Sequence, residues 1–72
     1  MDDESLKALD DVNPGDEVEV ELIGDAWPRH YRFDGFYRGG HGNYAMLNDT
    51  GYPTEQIRTF RIKHRAEVKQ DG

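Results

Sequence analysis

The sequence predicts a mainly β protein, an SH3-like small barrel of four to five antiparallel strands with a short N-terminal helix. Two observations carry this. Several segments alternate apolar and polar residues with period two, the pattern of half-buried strands. The connections between them are short and rich in glycine, proline, asparagine and aspartate, so consecutive strands fold back on each other. The chain is 72 residues long. That is one domain, with a core that supports roughly 3–5 kcal/mol of net stability.

Residues 1–4 are polar and expected to fray, leaving residues 5–70 as the domain. Ser5 is a candidate N-cap for a helix whose apolar stripe is Leu6, Leu9 and Val12, stopped by Pro14. A helix of about two turns does not persist alone and must lie across an end or edge of the barrel. The turn Asn13-Pro14-Gly15 introduces the first strand over residues 16–23. Val18, Val20 and Leu22 share one face there, and Glu17, Glu19 and Glu21 the other. A loop containing Trp27 and Pro28 follows.

Residues 30–38 form the second strand. Unbroken alternation puts Tyr31, Phe33, Gly35 and Tyr37 on one face and Arg32, Asp34, Phe36 and Arg38 on the other. Phe33 and Tyr37 are then core, Phe36 lies nearer the surface, and Gly35 permits a sharp bend. The run Gly39-Gly40-His41-Gly42-Asn43 is a flexible hairpin connection; it lacks the Gly-Lys-Ser/Thr of a phosphate loop. The third strand covers residues 44–48 with Ala45 and Leu47 inward, and Asp49-Thr50-Gly51 turns the chain. Residues 52–56 make one helical turn with Pro53 near its start. The last stretch, residues 58–69, is one bent strand or two short ones. Phe60, Ile62, His64, Ala66 and Val68 face one way, and Thr59, Arg61, Lys63, Arg65, Glu67 and Lys69 the other.

In this order, the elements resemble those of the Sm-like (LSm) RNA-binding proteins over roughly residues 5–49. Val18-Glu-Val-Glu-Leu22 stands where that family has Val-x-Val-x-Leu after a helix. Phe33-Asp-Gly35 stands at its glycine bend, and Asn43-Tyr-Ala-Met-Leu47 at its third strand. The resemblance implies a barrel that contacts RNA through loops and assembles with copies of itself. It implies Asn43 as the loop asparagine and His41 in the base-stacking place. The aspartate of the family's Asp-x-x-x-Asn loop is absent, and no Arg-Gly pair follows Asn48.

Charge narrows the function classes. Fifteen acidic residues stand against nine basic ones, a formal net charge of −6, and the bases are six arginines and three lysines. A carboxylate-rich, lysine-poor surface suits a protein dissolved in multimolar salt, and a halophilic archaeon is the expected source. Residues 1–26 hold ten acids and one lysine, net −9; residues 27–72 hold five acids and eight bases, net +3. The chain has no cysteine, so disulfides and thiolate metal sites are excluded. It has no apolar run long enough to span a membrane and an acidic rather than basic N-terminus, so a cytoplasmic location is expected.

Two groups of side chains are candidates for binding. Arg61, Lys63, Arg65 and Lys69 recur on one face of the last strand about 7 Å apart, a spacing suited to phosphates. Pairing of the first and last strands would instead set Arg61, Lys63 and Arg65 against Glu17, Glu19 and Glu21, and neutralise the stripe. The second group sets Trp27, Phe36, Tyr31, Tyr44 and Tyr52 among Arg29, His30, Arg32, Arg38 and His41. Aromatics among arginines stack bases and hold phosphates, but they also make protein-binding hot spots. The three histidines lack metal-motif spacing, and the single serine, Ser5, stands near no histidine. The expectation is therefore a non-enzymatic protein without cofactor or metal that binds RNA or another single-stranded nucleic acid. The alternative is a protein-interaction module or a self-assembling barrel.

Overall fold

The computed structural model describes residues 2–66. Helix α1 (Asp3–Asp11) precedes five strands: β1 (Glu17–Leu22), β2 (Arg29–Gly39), β3 (Gly42–Leu47), β4 (Thr50–Pro53) and β5 (Ile57–His64). A single 3-10 turn (Thr54–Gln56) joins the last two. The strands are antiparallel in the order β4-β3-β2-β1-β5. They form one sheet that curls without closing, since β4 and β5 stay at its two edges. The curl is deep enough for Tyr31 of β2 and Tyr52 of β4, two strands apart, to bring their ring centroids within 5.9 Å.

The helix starts earlier than the sequence predicts. Its N-cap is Asp2, whose Oδ1 accepts a hydrogen bond from the Ser5 amide at 2.8 Å. That bond lowers the Asp2 carboxyl below its usual value. Ser5 lies in the helix, buried, and its Oγ accepts the amide of Phe60 on β5 at 3.1 Å. Leu6 is exposed, so the buried side of α1 runs through Ser5, Ala8, Leu9 and Val12 instead.

The turn into β1 has proline in its second and glycine in its third position, with Gly15 at φ +96° and the Asp16 amide reaching Asn13 O at 3.1 Å. An added Cβ on Gly15 would stand 3.0 Å from the Cβ of Ala66. Val18 and Val20 are fully buried, and with Phe33, Ala45, Leu47, Ile57, Phe60 and Val12 they make the core.

Strand β2 breaks its own alternation. Phe33 pairs with Leu47, but Gly35 pairs with Met46, so two residues of β2 advance against one of β3. Asp34 is the extra residue of this bulge, and Gly35 takes φ +118°, where a side chain is strained. The Asp34 carboxylate takes the side chain of Arg32 at 3.0 Å and the amide of Asp49 at 3.0 Å. Downstream the faces are exchanged. Phe36, opposite buried Ala45, falls on the core side and packs edge-on against Phe33 with centroids 4.9 Å apart. Tyr37, expected in the core, is 60% exposed on the outer face.

The hairpins are tighter than expected. Gly39 pairs with Gly42, leaving Gly40 and His41 as the connection between β2 and β3. Asn48 and Asp49, at φ 51° and 66°, turn β3 into β4. Two positive φ values suit the twist of a two-residue hairpin. Strand β4 is thus an element the sequence reading folds into a turn. Glu67, Val68 and Lys69, assigned above to the last strand, lie outside the described residues. Among the described residues no helix is long and apolar enough to cross a membrane.

Candidate functional site

The two outer regions of the sheet treat their charges differently. Strand β1 presents Glu17, Glu19 and Glu21 between β2 and β5, and basic side chains close around them. His30 reaches Glu19 at 3.3 Å and Glu17 at 3.7 Å, His64 reaches Glu17 at 3.7 Å, Lys63 reaches Glu19 at 3.8 Å and Arg58 reaches Glu21 at 3.9 Å. Arg61 turns to Glu4 of α1 at 3.4 Å. Arg65 binds Asp11 through both its carbonyl and its carboxylate, and reaches Asp16 at 3.4 Å.

Asp16 is buried and anchors this corner. Its carboxylate takes the amides of Ala66 at 2.6 Å and Asn13 at 2.9 Å besides Arg65. Burial works to raise this carboxyl, but the two amides and the guanidinium outweigh it, and the net shift is downward. The stripe Arg61, Lys63 and Arg65 is therefore committed to carboxylates within the described chain. Arg32 is committed as well, to Asp34 at 3.0 Å and Asp49 at 3.5 Å.

Among the described residues, the arginines with no carboxylate oxygen within 4 Å are Arg29 and Arg38. They stand at opposite ends of β2. Arg29 follows the β1–β2 loop that carries Trp27, 64% exposed, and Ile23, 63% exposed. Its charge acts on the neighbouring Tyr31 hydroxyl, which burial, then Tyr52 and Asp25, hold above the ordinary tyrosine value.

Arg38 precedes the β2–β3 turn, opposite Asn43. It shares its side of the strand with Phe36, while the outer face beside it carries Tyr37 and Tyr44, paired across the strands with centroids 6.3 Å apart and planes inclined by 50°. Tyr44 lies over Gly39, where an added Cβ would meet its ring at 3.0 Å. Together with Gly40 and Gly51 they line a shallow groove of about 370 Å³. His41 and Asn43 belong to a smaller cleft of about 140 Å³ that also contains Glu55.

The predicted site residues thus separate into three groups. Trp27 and Arg29 sit at one end of β2, and Arg38, His41, Asn43 and Tyr44 at the other. Arg32, Arg61, Lys63 and Arg65 are held in ion pairs. Tyr37, placed in the core by uninterrupted alternation, joins the second group. The Asp34-Gly35 pair is the sequence signal for this, because such a dipeptide inside a strand marks a change of phase. Comparison with family models, with curated proteins and with solved structures finds no match for this chain.

Proposed function

We propose that the chain is a non-enzymatic binding protein for single-stranded nucleic acid. One observation carries the reading: Arg29 and Arg38 have no acidic partner among the described residues, and exposed aromatic rings stand at the same two ends of β2, Trp27 at one and Phe36 and Tyr37 at the other. An unpaired guanidinium is available to a phosphate, and an exposed ring to a base, at roughly 1–3 kcal/mol per stacked base. In concentrated salt, the medium the composition predicts, phosphate contacts weaken while apolar contacts strengthen, so the rings would carry the larger share.

The test titrates Trp27 fluorescence and the anisotropy of labelled oligonucleotides with single-stranded RNA, single-stranded DNA and duplex DNA. Saturable binding of the single strands is expected, with log K falling against log salt at a slope of about −1.4 for two phosphate contacts. In Arg38→Ala the slope should fall by about 0.7. No change in either signal with folded protein refutes the reading. A second reading, docking of a protein strand, draws on the bare edge of β4. A stable oligomer in light scattering, combined with indifference to nucleic acid, would select it.

A further inference from the structure

We propose that the outer face of the sheet carries a seat for one nucleobase, in the groove between Tyr37 and Tyr44, and that this seat engages the base without its phosphate. The inference rests on the single-strand reading above and names the part of the ligand that this end of β2 takes.

Residues directly opposite each other on neighbouring strands share a face. The row through Tyr37, Tyr44 and Pro53 therefore crosses β2, β3 and β4 on the side away from Ala45 and Leu47, which are buried in the core. Met46 and Gly51 form the next row, and Gly39 flanks the tyrosines on the other side. None of these side chains is charged, whereas the outer face over β1 and β5 is crowded with ion pairs. Tyr37 is 60% exposed, and the groove of about 370 Å³ beside it is bounded by Gly39, Gly40 and Gly51 as well as by the two rings. Bare backbone at the glycines lets a flat ring come close.

Two properties select the occupant. The groove offers aromatic faces and no cation, so it takes a flat neutral ring and leaves phosphates alone; Arg38 points to the opposite side of β2, with Phe36. The two tyrosine rings are 6.3 Å apart and inclined by 50°. A ring held between two others needs them parallel and roughly 7 Å apart, twice a carbon contact of about 3.5 Å. One base therefore stacks on the exposed ring of Tyr37 and meets the second ring edge-on. Stacking without a phosphate contact releases no counterions and keeps its strength in concentrated salt.

Gly51 provides a way to close the groove. Its φ is not positive, and an added Cβ meets Met46 Sδ at 3.5 Å and Tyr44 Cβ at 3.8 Å, ordinary contacts, so Gly51→Leu fills the space from an unstrained position. The experiment follows the backbone amides of the isotope-labelled full chain by NMR during titration with uridine, cytidine and adenosine, and the anisotropy of a labelled oligouridylate at low and at multimolar salt. The nucleosides should shift the amides of Gly39, Gly40 and Gly51 saturably. Gly51→Leu and Tyr37→Ala should each weaken oligonucleotide binding about tenfold, by the same factor at both salt concentrations, and Tyr37→Phe should bind as the parent chain does. Unmoved glycine amides with unchanged affinity in Tyr37→Ala would overturn the seat and leave the single-strand reading standing. So would a loss confined to low salt, or a proline-rich peptide that shifts those amides where nucleosides do not. No binding of any nucleoside or oligonucleotide overturns both.

Discussion

The outer surface over β1 and β5 and the two ends of β2 carry the same residue types in different states. Over β1 and β5 the glutamates of β1 are met by His30, Arg58, Lys63 and His64, and α1 draws in Arg61 and Arg65. At the ends of β2, Arg29 and Arg38 extend past the reach of those carboxylates and stand among exposed rings. A cation on a strand is thus defined by its neighbour across the sheet. Charge counts along the chain locate both groups equally well, and pairing alone separates them.

The largest effect should come from the anchor of the paired region. In Asp16→Ala the amides of Asn13 and Ala66 lose their acceptor, at about 2–3 kcal/mol, and the urea midpoint should drop accordingly. Because its folded-state value is depressed below 3.8, Asp16 contributes fully above about pH 4, and that contribution is lost as pH falls through the lowered value. Asp16→Asn should lack this acid limb in a pH series of unfolding curves. Neither variant should alter oligonucleotide affinity while folded, and a change there would erase the distinction between the regions.

Gly35→Ala comes next. Its φ of +118° leaves an alanine strained although nothing crowds the Cβ, at roughly 1–3 kcal/mol. The thermal midpoint should fall, and if the bulge is expelled to relieve the strain, Tyr37 should become protected from iodination as it turns inward. The smallest effect is expected of Glu17→Gln combined with Glu19→Gln. Exposed pairs contribute roughly 0.2–1 kcal/mol each, so stability should change little. The released cations of β5 should instead add salt-sensitive oligonucleotide binding over β1, and its absence would mean that these side chains are not held back by pairing.

Local pattern carried much of the fold. The alternation through Val18, Val20 and Leu22 and the Pro14-Gly15 turn are decided within a few residues of chain, and both stand in the structure. Strand β4 was hidden because Thr50-Gly51-Tyr52-Pro53 holds a glycine and a proline and is too short to alternate; it is a strand because β3 pairs with it. Local sequence suggests Ser5 as an N-cap, but Asp2 takes that place and the partner of the Ser5 hydroxyl lies 55 positions away on β5. At the site, the residue types of both arginine–aromatic clusters were visible. Their division between the ends of β2 was not, since it depends on registry across three strands.

That contact between Ser5 and Phe60 bears on how copies of the chain can add to one another. The amide of Phe60 points away from β1, and the hydroxyl of Ser5 already occupies it, while α1 lies along β5 as far as Arg65. A strand arriving at β5 must first dislodge the helix, which among the described residues packs along this margin of the sheet and not on the strand at the other, β4. Addition of a further strand at the β5 margin therefore carries the cost of releasing the contact between Ser5 and Phe60.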